Sequence, residues 1–257
     1  MLGATTCIVA TVASLAAACA GTAPLPVEPV QAGSHQVLFI GNSLTETNGL
    51  PAMVSDLATS VGDTIRVVSV TLSGAALGDH LLEGTAARTI RSQGWELVVL
   101  QQGPSSLPLS RDSLIYWTRK FAPLIQAAGA RTALLMVWPE SARLTAFDAV
   151  RDSYLAAAES VGGVFVPAGE AWRTAWTVDP SLPFYGPDGF HPSALGTYLS
   201  ALVLYERVTG HDARRLPTRV NVGGRPLPAV EAAIRSMQAA AHETNVRFPV
   251  ATLEPAR

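Results

Sequence analysis

The sequence predicts an α/β fold in three layers, a central parallel sheet of about five strands with helices on both faces. Three observations lead there. From residue 36 onward, short apolar runs rich in β-branched residues alternate with longer amphipathic segments, the pattern of strands joined by crossover helices. The short runs are continuously apolar rather than alternating, so both faces of their sheet must be covered. Finally, 257 residues with 48% apolar and 15% charged side chains suit one folded domain with a sizeable core and exclude a disordered chain.

Taken in order, residues 35–40 (HQVLFI) form a buried strand ended by Gly41. A helix follows over 50–61, with Met53, Leu57 and Ala58 on one side. Residues 64–70, 97–100 and 132–137 supply the next three strands, and 164–166 a short fifth. Leu114, Trp117, Phe121 and Ile125 recur at helical spacing, and 147–161 is a second helix of this kind, with Val150, Tyr154 and Ala157 turned inward. Helices over 193–208 and 229–241 close the chain, the last marked by Val230, Ile234, Met237 and Ala241. No internal repeat is visible.

Both cysteines, Cys7 and Cys19, fall in the first 20 residues, so the body has no thiol for a disulfide, a redox pair or a cysteine zinc site. The apolar run 7–18 is shorter than the roughly 18 to 20 residues that span a bilayer, and it fits the core of a secretory signal over 1–18. The small residues Leu15-Ala-Ala-Ala leading into Cys19 resemble a bacterial lipobox, which implies export and a lipid on Cys19, the only membrane attachment expected. Residues 19–35, with Pro24, Pro26 and Pro29, read as a tether, and 36–257 as the domain. Eighteen basic against 20 acidic residues give a net charge of −2, too little positive field for a nucleic-acid partner. Lys120 is the one lysine, and neither glycine-rich nucleotide motif is present. No cofactor and no metal are expected.

In a parallel sheet the ligand site lies beyond the carboxyl ends of the strands, which directs attention to loops 41–49, 71–80, 101–110, 138–144 and 179–192. The first holds Gly41-Asn42-Ser43-Leu44-Thr45. Ser43 on a strand-to-helix turn either caps the helix or offers its hydroxyl to the crevice, with its own N–H near a helix start. The last loop holds Asp188-Gly-Phe-His191-Pro192, with Pro192 suited to a first helical position. Asp and His three apart in a tight turn can join carboxylate to Nδ1–H and leave Nε2 free as a base; the plainer alternative is a structural turn. A serine is a weak nucleophile without a base, so the two loops make chemical sense together.

Those two blocks, Gly41-Asn-Ser-Leu44 early and Asp188-Gly-Phe-His-Pro192 late, resemble the first and last motifs of the SGNH/GDSL hydrolases, in order and in spacing. The resemblance implies a flavodoxin-like SGNH fold, with Ser43 as nucleophile, His191 as base and Asp188 as its orienting acid. Ser73-Gly74-Ala75 is similar to the second motif and nominates Gly74 as an oxyanion donor beside the Ser43 N–H. The third motif, Gly-x-Asn-Asp, is missing, and Leu100-Gln101-Gln102-Gly103 stands in its place. A glutamine carries the same amide donor on one more methylene; Gln101, or failing it Gln102, is therefore the expected third donor. Together with Leu50-Pro-Ala-Met53, these departures resemble a bacterial branch with GNS for GDS.

The implied activity is hydrolysis of a carboxylic ester on a small molecule or a carbohydrate, with O-acetyl or other short acyl groups in view. An acyltransferase with the same triad and a non-catalytic glycan-binding lipoprotein are the rival readings. Trp138, Trp172, Trp176, Phe184 and Tyr185 are placed near the cleft, where they can stack on a sugar or serve the core.

Overall fold

The computed structural model describes Met1 and residues 34–222 and 225–250; the expected signal segment, Cys19 and nearly all of the tether lie outside the described residues. Five strands form one parallel sheet: β1 (Ser34–Gly41), β2 (Thr64–Thr71), β3 (Leu97–Leu100), β4 (Arg131–Leu135) and β5 (Val164–Val166), in spatial order β2-β1-β3-β4-β5. All four pairings are parallel. The middle of β1, Val37 to Ile40, is fully buried, as are Val98 and Leu100, which is why these runs are apolar on both faces.

The chain leaves β1 in one direction to make β2, then returns past β1 to make β3, so the order reverses between β1 and β3. A crevice opens beyond the carboxyl ends of strands at such a reversal. Two helical layers flank the sheet. One holds α2 (Leu50–Thr59), α7 (Ala168–Val178) and α8 (Ala194–Thr209); the other holds α3 (Leu77–Glu83), α4 (Thr85–Ser92), α5 (Pro108–Ala127) and α6 (Phe147–Glu159). A one-turn helix, α1 (Ser43–Glu46), sits at the end of β1. The last helix, α9 (Glu231–Arg247), packs over α7 and α8, so α8 is apolar nearly all round, with residues Leu195 to Glu206 buried. A small antiparallel pair, β6 (Asn221–Val222) and β7 (Arg225–Pro226), precedes α9.

The expected strands and helices are present to within a few residues, and α3, α4 and α7 appear besides the one-turn α1. α7 carries Ala168, Ala171, Trp172 and Ala175 inward at helical spacing, and Pro167 directly before it marks its start. α3 and α4 are short and meet at Gly84, which is left-handed at φ 88°. Pro192 is not the first residue of α8; Ser193 is the cap and its Oγ accepts from the N–H groups of Leu195 and Gly196. Among the described residues no helix is long and apolar enough to cross a membrane.

Candidate active site

β1 delivers its carboxyl end into the crevice, and the residue that caps α1 is Asn42: its Oδ1 accepts the Leu44 N–H at 3.0 Å. With the cap filled from the preceding residue, the Ser43 hydroxyl is left for other partners. Behind the turn lies Gln101, 1% exposed. Its Oε1 accepts the Asn42 N–H (2.9 Å) and the Thr45 hydroxyl (2.7 Å), while its Nε2 donates to Asn42 Oδ1 (3.0 Å) and to the Gln102 carbonyl (2.5 Å). Asn42 Nδ2 in turn donates to the Ala75 carbonyl. Every polar atom of the Gln101 side chain is thereby satisfied inside the protein, as buried polar groups must be. This network explains Gly41: a Cβ there would lie 2.5 Å from both Gln101 Oε1 and Thr45 Oγ1.

The second loop is built differently. Asp188 is exposed, and its Oδ1 accepts the backbone N–H groups of Phe190 and His191 at 3.0 Å each. Its Oδ2 lies 2.5 Å from His191 Nδ1. The bond from His191, followed by the Phe190 N–H, pulls the Asp188 carboxyl down to about 2, so it is ionised at any working pH and holds the proton of the ring on Nδ1. His191 Nε2 then faces the Ser43 hydroxyl at 2.9 Å. The structure thus brings Ser43, His191 and Asp188 into one hydrogen-bonded line.

Several further contacts hold the two loops in register. Asn48, left-handed at φ 57°, donates through Nδ2 to the Pro192 carbonyl (2.9 Å) and Thr197 Oγ1 (3.0 Å). The segment after β4 is fastened to the Asp188 turn by the Trp138 Nε1–H to Phe190 O bond, the Tyr185 hydroxyl to Pro139 O, and the Ser141 N–H to Gly189 O. Asn42 and Asn48 were not among the expected site residues, whereas loop 138–144 was among those that the strand ends single out. Asn before Ser at a helix start is the recognisable signal for the first; Asn48 lacks one.

A cleft of about 430 Å³ opens beside Ser43 and is lined by Asn42, Gly74 and Gln102 among others. Gly74 is third in a turn closed by the Ala75 N–H to Leu72 O bond, with φ 72°, a conformation that calls for glycine at that place. As the first residue of α1, Ser43 carries an N–H that no helical bond satisfies. Gln101 does not line this cleft, and the expectation that it completes the oxyanion hole is corrected: both of its side-chain N–H groups are bonded elsewhere. Gln102 does reach the cleft, yet its Nε2 donates to Ser105 Oγ and Ser110 O and its Oε1 accepts from the Leu77 N–H. The two glutamines brace the loops around the cleft.

Of the two roles open to the aromatic residues, the structure favours the core. Trp138, Trp172 and Phe184 are at most 2% exposed, with the Trp138 and Trp172 rings stacked at 3.6 Å and Trp176 and Tyr185 edging the same cluster. They are core beneath the site. Another buried group does touch the nucleophile turn: His80 Nε2–H donates to the Gly41 carbonyl at 2.8 Å. Burial lowers its pKa, against the opposing effects of that bond and of Asp79 and Glu83.

No model of a known protein family matches the chain, and no curated protein matches it. Solved structures do. A protein from Slackia heliotrinireducens assigned to the SGNH hydrolases is 27% identical, with a TM-score of 0.57 over 67% of this chain and 98% of that one. The chain has the SGNH/GDSL hydrolase fold. A DUF4886 family protein from Bacteroides uniformis matches more of this chain, 86% of it against 98% of its own length, at TM-score 0.71 and 18% identity. A lipase/acylhydrolase from Enterococcus faecalis is similar over 71% of this chain and 97% of its own, at TM-score 0.56 and 14% identity.

Proposed function

We propose that this SGNH hydrolase cleaves carboxylic esters through Ser43, His191 and Asp188. The observation that carries the reading is the line from Asp188 Oδ2 to His191 Nδ1 and from His191 Nε2 to Ser43 Oγ, at 2.5 and 2.9 Å. His191 takes the serine proton as Oγ attacks the ester carbonyl, and Asp188 fixes the ring tautomer and stabilises the imidazolium that forms. The N–H groups of Ser43 and Gly74 receive the oxyanion. His191 returns its proton to the leaving alcohol, and water, deprotonated by the same ring, releases the acid and restores the serine.

Short acyl groups on a carbohydrate are the favoured substrates, supported by a cleft whose wall bears Ser105, Ser106, Ser110 and Ser113. The reading also places the enzyme outside the cytoplasm, with Cys19 as its lipid anchor, on the strength of the sequence from Cys7 to Cys19. Labelling by a fluorophosphonate together with turnover of p-nitrophenyl acetate tests the chemistry. A protein that does neither, while folded, overturns it. The mass of the protein recovered from membranes tests the anchor: an unmodified Cys19 removes it.

A further inference from the structure

The cleft beside Ser43 carries two charged side chains that the mechanism does not use, Glu140 and Arg143. Both are exposed. Neither side chain has a hydrogen bond or ion pair with any described residue, and they do not pair with each other, although the Arg143 N–H bonds the Glu140 carbonyl. Single unpaired charges are common on a surface. These stand on a backbone fixed to the catalytic loop itself, by the bonds from Trp138, Ser141 and Tyr185 that join residues 138–141 to 185–190.

We propose that Glu140 and Arg143 form a subsite that grips the hydroxyl-bearing part of a neutral ester, a reading that rests on the ester hydrolysis proposed above. A carboxylate only accepts hydrogen bonds and a guanidinium only donates them, whereas an alcohol does both. Opposed charges on one wall therefore engage neighbouring hydroxyls in complementary senses. A net charge on the substrate gains from one of the two what it loses to the other, so the pair favours neither sign. An alkyl ester offers neither group a partner, and covering them with apolar surface costs desolvation. Ser106 and Ser113 on the same cleft extend the polar wall.

The test compares two acetates of similar shape, 6-O-acetylglucose and cyclohexylmethyl acetate, on the full protein and on Arg143→Ala, Arg143→Lys and Glu140→Ala. The wild-type protein is expected to prefer the sugar ester in kcat/KM. Each alanine variant should lower that preference by about 10- to 100-fold, mainly through KM, the range for losing hydrogen bonds to a charged group. Arg143→Lys should recover part of it, because the charge remains. A wild-type protein with no preference, or variants that slow both esters by the same factor, overturns the subsite and leaves the ester hydrolase standing. A wild-type protein that cleaves neither acetate and takes no fluorophosphonate overturns the parent reading, and the subsite with it.

Discussion

The two loops that meet at the triad are held by opposite means. The nucleophile turn is buried and braced from behind: Asn42, Thr45 and Gln101 exchange hydrogen bonds in a closed set, and His80 holds the Gly41 carbonyl. The base turn is half exposed: its backbone is tied to Trp138 and Ser141, but the Asp188 carboxylate is braced from within, by the N–H groups of Phe190 and His191 and by the ring it orients. A buried brace draws its rigidity from the core and shares the core's stability. An exposed carboxylate bonded only within its own turn asks little of the core. Substitutions in the buried brace behind Ser43 should therefore cost stability, and loss of the Asp188 carboxylate should cost mainly activity.

The most severe loss of turnover should come from Ser43→Ala, about 10⁴- to 10⁶-fold, with fluorophosphonate labelling abolished and thermal stability within about 0.5 kcal/mol of wild type. Residual turnover close to wild type would remove Ser43 from its role. Next is Asp188→Ala, expected to lower kcat by about 10² to 10⁴ and to leave the denaturation midpoint nearly unchanged, since the carboxylate is exposed. A large drop in midpoint would break the contrast, showing that the base turn also supports the core.

Gln101→Ala sharpens the comparison from the other side. It strands the Asn42 N–H and other buried groups, so urea unfolding should show a loss of about 2 to 4 kcal/mol. Wild-type stability with kcat down a hundredfold would instead restore Gln101 as an oxyanion donor. The smallest effect concerns His80. Its folded pKa lies below the unfolded value near 6.5, so the unfolded chain binds the extra proton. Stability from this group is complete above about 6.5 and declines as pH falls toward the lowered folded value. Melting temperatures between pH 7.5 and 5 should fall less steeply in His80→Gln; an identical slope would mean that His80 does not contribute.

The strands were legible because continuous apolar runs admit few other structures, and the meeting of Ser43 with the Asp188-to-His191 turn because the two loops make chemical sense only jointly. The glutamines were misread for a physical reason. A carboxamide at a strand end can point its N–H at a ligand or into a network, and the choice depends on partners such as Asn42 Oδ1 that lie 59 residues away in the chain. The tryptophans were left open for a similar reason: an indole suits a sugar and a core equally, and only the packing of Trp172 on α7 against Trp138 after β4 decides. Glu140 and Arg143 carried no signal, because isolated charges in a loop look alike whether or not a cleft lies beside them.

Ser43 and His191 are 148 residues apart in the chain and 2.9 Å apart in space. Closing so large a loop is entropically costly and comes late relative to local contacts. On the proposed chemistry, a nascent chain that has not yet made the Asp188 turn has no base for Ser43. Covalent labelling of Ser43 would then read out the meeting of two loops that are distant in the chain, a step separate from the forming of either one.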